Sequence, residues 1–161
     1  MRGLSERDIS DTGAVELRRV TDLLGGSRVL RPTPRSRLDA HEMLLRGLPG
    51  GALTHLVNSL TIIERSASLE KAVGISLRTY QRRRDAPMKP LTPEQSGRAW
   101  KFAEILAKAT ALLGSQEEAE RWLERPATGL DQHRPIDLLA TPAGVAIVDD
   151  FLRRLEHGVY M

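Results

Sequence analysis

The stretch LEKAVGISLRTYQRRRD, residues 69–85, decides the fold of the N-terminal half. Gly74, with no Cβ, adopts left-handed backbone without strain, which a tight turn between helices requires. Ser76 follows as a cap, because its hydroxyl accepts from one of the backbone N–H groups left unpaired in the first turn of a helix. Leu69 and Val73 then bury a first short helix and Ile75 plugs the corner. Tyr80 packs the second helix, predicted over Leu77 to about Arg84, against the first. Two helices locked at a glycine by apolar residues at these offsets make a helix-turn-helix. Two positions depart from the usual pattern. Glu70 stands where the close approach of the helices takes a small residue, and Arg83 where an apolar one is common.

Leu77, Arg78, Gln81, Arg82 and Asp85 are left outward on the second helix. Paired arginine donors match the O6 and N7 acceptors of guanine, and the glutamine amide matches the edge of adenine. Ser76, Thr79, Arg83 and Arg84 are spaced for phosphates, which position a protein without reading sequence. The candidate DNA-binding set is therefore Ser76, Leu77, Arg78, Thr79, Gln81, Arg82, Arg83 and Arg84. A solvated basic helix face is the competing reading of the same charges.

Toward the N-terminus the signals weaken. Residues 1–13 are polar with no apolar period, and residues 1–19 are expected to be disordered or loosely attached. Val15, Leu17, Val20, Leu23 and Leu24 share one face of a short helix stopped by Gly25-Gly26. SRVLRPTPRSR, residues 27–37, carries two prolines and four arginines and reads as an extended connector. Ser36 caps a helix running to Leu45. After GLPGG, the residues Ala52, Leu53, Leu56, Val57, Leu60 and Ile63 mark an amphipathic helix. A helix-turn-helix domain is expected over residues 20–90.

Pro87 and Pro90 break the chain, and Thr92-Pro93-Glu94-Gln95 is a capping box with proline at the first helical position. The long helix behind it has an apolar stripe of Trp100, Phe102, Ile105, Leu106, Ala109, Leu112 and Leu113. Ser115 opens a further helix that ends before Pro126. Pro135 starts a single turn anchored by Ile136, Leu138 and Leu139. Thr141-Pro142 caps the last helix, lined by Val145, Val148, Phe151, Leu152 and Leu155 and stopped at His157-Gly158. Residues 91–161 are expected to form a second, separable helical domain, and the whole chain to be all-α.

Composition sets the outer limits. The 161 residues include two Phe, two Tyr, two Trp and no cysteine, so the core must be aliphatic, and disulfides and thiolate chemistry are excluded. His41, His55, His133 and His157 lack metal-ligand spacing, no glycine loop would cradle a phosphate, and neither a metal, a cofactor nor an enzymatic activity is expected. Glu117, Glu118 and Glu120, like Asp149 and Asp150, read as exposed helix faces. No leader or membrane-spanning run stands out, which points to the cytoplasm. Residues 1–90 hold 16 Lys/Arg against 10 Asp/Glu, and residues 91–161 hold 8 against 11, so the halves should meet different partners. Val159, Tyr160 and Met161 lie beyond the glycine stop with no helix left to bury them; they either fold back on their own domain or lie on a partner.

Several of these motifs occur together in one family. The GLP-led helix (Gly47-Leu48-Pro49), the turn VGISLRTYQRR, Leu113-Gly114, Ala119, Trp122-Leu123, Pro126, Pro135-Ile136-Asp137-Leu138-Leu139, Thr141, Gly144 and the closing Leu155-Glu156-His157-Gly158-Val159-Tyr160 resemble the Xre/MbcA/ParS antitoxins that partner RES-domain toxins. The resemblance covers residues 20–161. It implies an Xre-like DNA-binding domain followed by a toxin-binding domain, a toxin that degrades NAD, and an antitoxin that shields the toxin's active site and represses its own operon as a homodimer on paired or palindromic half-sites. The toxin-facing residues would then be Asp149, Asp150, Arg153, Arg154 and Glu156 on the last helix, with His157, Gly158, Val159, Tyr160 and Met161 after it. A stand-alone dimeric helix-turn-helix regulator without a toxin partner is the alternative.

Overall fold

The computed structural model describes residues 6–63 and 65–158. Among them the chain forms helices α1 (Glu6–Leu23), α2 (Arg37–Arg46), α3 (Gly50–Ser59), α4 (Ala67–Val73), α5 (Leu77–Asp85), α6 (Pro93–Leu113), α7 (Gln116–Glu124), α8 (Pro135–Leu138) and α9 (Pro142–Glu156), with no strand. Six of these helices begin on a Ser or Thr hydroxyl that accepts from the backbone N–H of the third residue: Ser36, Ser66, Ser76, Thr92, Ser115 and Thr141. At Thr92 the box closes, since the Gln95 side chain returns to accept from the Thr92 N–H at 3.0 Å.

α6 organises everything around it. Ser96, Ala99, Trp100, Phe102, Ala103, Ile105, Leu106, Ala107 and Ala109 are all buried, a set that runs around the helix instead of along one stripe. α1, α2 and α4 pack on it from the N-terminal half, and α7 and α9 from the C-terminal half. The boundary expected at residues 90/91 therefore falls just before a helix that both halves use. The alanines make this possible: with side chains this short, five neighbouring helices can approach one backbone. Buried residues from Val20 to Leu152 form one continuous apolar cluster.

The N-terminal segment differs from its expectation. Of residues 1–19, expected to be disordered or loosely attached, residues 1–5 lie outside the described residues and the chain is helical from Glu6. Val20 and Leu24, 1% and 0% exposed, anchor the C-terminal end of α1, and a helix nucleated by tertiary contacts propagates at one hydrogen bond per residue added. Glu16 of this helix reaches Lys108 of α6 at 3.8 Å.

Polar clamps join the halves. Ser96 Oγ, fully buried in α6, accepts from the Leu48 N–H at 2.8 Å at the α2–α3 junction. Glu120 of α7 was expected on an exposed face; it is 0% exposed, and its carboxylate accepts from the N–H groups of Thr61, Ile62 and Ile63, each at 3.0 Å. The Thr61 hydroxyl at 3.2 Å and Gln116 Nε2 at 3.1 Å complete its shell, and Gln116 also donates to the Ser59 carbonyl at 2.7 Å. The loop after α3 supplies three N–H groups in a row, and a carboxylate is the one side chain able to accept them all.

Candidate functional site

The turn forms as its sequence dictates. Gly74 adopts φ 73°, Leu69, Val73, Ile75 and Tyr80 are buried, and Tyr80 donates from its hydroxyl to Asn58 Oδ1 at 3.2 Å while Arg65 lies 4.8 Å over its ring. The two departures have structural reasons. Glu70 does not crowd the helix approach: its Oε1 reaches forward to accept from the Leu77 N–H at 2.8 Å, adding a carboxylate cap to the Ser76 hydroxyl at the positive end of α5. Arg83 replaces an apolar residue with its own stem, which lies so close over Gly50 that a methyl group there would meet its Cδ at 3.0 Å. Its Nε is buried with no hydrogen-bond partner among the described residues.

α5 then presents Ser76, Leu77, Arg78, Gln81, Arg82 and Arg84 to solvent, with Thr79 and Arg83 half-buried. Arg84 lies 4.0 Å from Asp85; among the described residues no carboxylate stands at salt-bridge distance from Arg78 or Arg82. Leu77, 44% exposed at the first position of the helix, is an apolar residue placed on this charged face. Two guanidinium forks one turn apart, without a carboxylate partner among the described residues, a glutamine and an apolar tip are the side-chain types that match base edges in a major groove.

The link from this face to the C-terminal half runs through Arg98 of α6. Its Nη2 donates to the carbonyl of Lys71, and to those of Ala72 at 3.3 Å, Leu139 at 3.5 Å and Ala140 at 3.3 Å. These are the unpaired carbonyls at the ends of α4 and α8, which a cation satisfies together. Gly74 leaves room for it, since a methyl group there would stand 2.8 Å from Arg98 Cζ. Arg134 adds a second tie, donating to Ser68 Oγ at 2.6 Å and to both oxygens of Asp137 at 2.9 and 3.0 Å. Those bonds from Arg134 hold the Asp137 carboxyl below the usual carboxylate range, against a smaller opposing effect of burial.

Of the toxin-facing candidates, Asp150, Arg153, Glu156, His157 and Gly158 are exposed and Arg154 is half-buried, its Nε donating to the Asp150 carbonyl at 3.4 Å. Asp149 is a correction. Expected on an exposed face, it is 6% exposed and clasps Lys108 at 2.6 Å and Arg153 at 3.0 Å. Burial pushes its carboxyl up, but the Lys108 hydrogen bond and the charges of Lys108, Lys101 and Arg153 outweigh that and hold it below the ordinary value. Val159, Tyr160 and Met161 lie outside the described residues. Sequence reasoning passed over Ile147, which is 48% exposed and shares a helical face with Ala143, Asp150 and Arg154. Its signal was legible: it is an apolar residue that falls off the Val145–Val148–Leu152 stripe.

α9 is seated by two tight contacts. Trp122 of α7 and Phe151 stack with ring centres 5.9 Å apart, and the turn before α9 is so close that a methyl group on Gly144 would lie 1.8 Å from the Leu138 carbonyl oxygen. Beside its C-terminal end a groove of about 430 Å³ opens between α1, α6 and α9, floored by Leu112 and Leu152 and flanked by Val15, Arg19, Arg153 and Glu156.

Residues 39–104 match the antitoxin Xre-like helix-turn-helix domain, and residues 108–158 match the antitoxin Xre/MbcA/ParS C-terminal toxin-binding domain. The antitoxin Xre of Yersinia enterocolitica is 34% identical over 148 residues, covering 83% of this chain and 99% of the relative. This chain belongs to the Xre/MbcA/ParS antitoxin family. Antitoxins Xre of Photorhabdus laumondii and Pseudomonas putida are each 30% identical, over 73% and 79% of this chain and 78% and 77% of their own lengths. The helix-turn-helix match ends inside α6 and the toxin-binding match begins inside the same helix, so in this antitoxin the two domains meet within one element.

Proposed function

We propose that this antitoxin neutralises a RES-domain, NAD-degrading toxin through its C-terminal domain and represses its own operon, as a homodimer, through α5. The observation that carries the reading is a toxin-binding domain continuous with a helix-turn-helix, on a chain that spans 99% of a relative named antitoxin Xre. The two surfaces are supported by different neighbours: α5 packs on α3, while α9 packs on α6 and α8. An NAD-binding cleft is concave and rich in groups that bind a pyrophosphate, and the sequence offers it an anion in Glu156 and a flat ring with a hydroxyl in Tyr160. Ile147, Asp150 and Arg154 supply the flanking helix face.

The test is an NAD-consumption assay with a RES-domain toxin. Equimolar antitoxin should stop NAD loss, and a chain lacking residues 159–161 should keep its melting temperature yet let NAD fall. Continued NAD loss with intact antitoxin present would refute the toxin assignment. Full protection by the shortened chain would move the block from the tail to the α9 face.

A further inference from the structure

The connector between α1 and α2 carries four arginines and no carboxylate over residues 28–37. It is not a loose tether. Leu30 is buried, its N–H donates to the Gly26 carbonyl at 2.8 Å, and its own carbonyl accepts from Thr33 Oγ1 at 2.9 Å. Pro34 is buried further along. Between these pins Arg28 and Arg31 are exposed.

Their position matters because of α3. A methyl group on Gly51 would sit 3.6 Å from Val29 Cγ1 and 3.6 Å from Pro87 Cβ, and the Gly51 N–H donates to the Pro87 carbonyl at 3.0 Å. Pro87 follows the end of α5 by two residues, and the neighbouring Gly50 lies under the Arg83 stem. The connector thus abuts the same glycine pair that seats the C-terminal end of α5, with Arg28 and Arg31 flanking the contact. Arg82 and Arg84 near the end of α5 and Lys89 just after it are exposed as well. Nearby carboxylates do not neutralise these cations: Asp85 is beside Arg84, Asp22 lies by Gly26, and none among the described residues is at salt-bridge distance from Arg28, Arg31, Arg82 or Lys89. Arg31 spends only its Nε, on the Ser27 carbonyl at 3.3 Å.

Cations gathered without counter-charge, on a pinned backbone, beside a groove-reading helix fit one ligand best: the phosphate backbone of the same duplex, where affinity comes from neutralised charge and carries no base information. We propose that Arg28 and Arg31 grip the phosphates flanking the bases that α5 reads. This rests on the reading of α5 as a DNA-binding helix.

The experiment measures affinity of the full chain for its own promoter duplex and for a scrambled duplex between about 50 and 200 mM salt. Each phosphate contact contributes about 0.9 to the slope of log affinity against log salt, so R28A/R31A should lower that slope by about 1.8. Affinity should drop by the same factor on both duplexes, leaving their ratio unchanged, and R28K/R31K should retain the slope. A double-alanine variant with the parental melting temperature and the parental slope overturns the proposal, as does one whose promoter-to-scrambled ratio collapses or whose loss is in toxin binding instead. A parent chain with no salt-dependent DNA affinity overturns the reading of α5 beneath it, which is a separate result.

Discussion

Replacing Glu120 with alanine removes the acceptor for three consecutive backbone N–H groups, one hydroxyl and one amide. Their fates differ. Thr61 is exposed and Ile62 half-buried, so water can replace the lost acceptor there; Ile63 is buried, and its N–H is left without one. An orphaned buried donor costs about 1–3 kcal/mol, and a bond to a charged acceptor contributes about 1.5–3 kcal/mol net, so after partial rehydration the loss should be about 3–5 kcal/mol. For a chain of this length that lowers Tm by about 6–20 °C. Glu120→Gln keeps the shape and one acceptor but turns an amide toward Gln116 and Thr61, and should fall near the midpoint. Glu117→Ala, on an exposed residue 3.8 Å from Arg121, is the control and should stay within about 0.5 kcal/mol. Thermal and urea unfolding followed by circular dichroism give the numbers, and hydrogen exchange at the amides of residues 61–63 locates them. An alanine variant that melts within about 2 °C of the parent, with those amides still protected, would refute the clamp.

Gly144→Ala should unseat α9, because its methyl group meets the Leu138 carbonyl oxygen at 1.8 Å; a loss of about 3 kcal/mol in unfolding, with toxin binding lost, is expected. Gly97→Ala is the opposite case: nothing lies within 4 Å of the new methyl group inside α6, and stability should rise by about 0.5–1 kcal/mol in the same melts. Arg78→Ala with Arg82→Ala should abolish promoter binding in gel shifts and leave NAD protection intact, each arginine carrying about 1–3 kcal/mol of base discrimination. Asp149 and Asp137 both have carboxyls held below the unfolded value, so their contribution is present at neutral pH and is lost as pH falls below about 4; Asp149→Asn should flatten that acid limb in melts at stepped pH.

Local chemistry made most of the helices legible. Capping hydroxyls at Ser36, Ser76, Thr92 and Thr141 and the left-handed Gly74 act within four residues, so a linear reading finds them. What stayed hidden depends on partners distant in sequence. Glu120 looks like a solvent residue until residues 61–63 arrive 57 or more positions away, and Asp149 does until Lys108 arrives 41 away. The stripe read along α6 left out Ala99, Ala103 and Ala107, which are buried and let neighbours from both halves approach. Glu70 and Arg83 looked like faults in a helix-turn-helix because the pattern scores position; the chain uses the length of each side chain, one to cap α5 and the other to cover Gly50.

The sharing of α6 bears on how such a protein leaves the cell. Opening the chain far enough for a protease to engage this helix strips the packing from α1, α2 and α4 and from α7 and α9 in the same event. No half-digested remnant would keep one domain folded while the other is lost. Turnover of this antitoxin should therefore take both domains on one clock, set by a single opening rate.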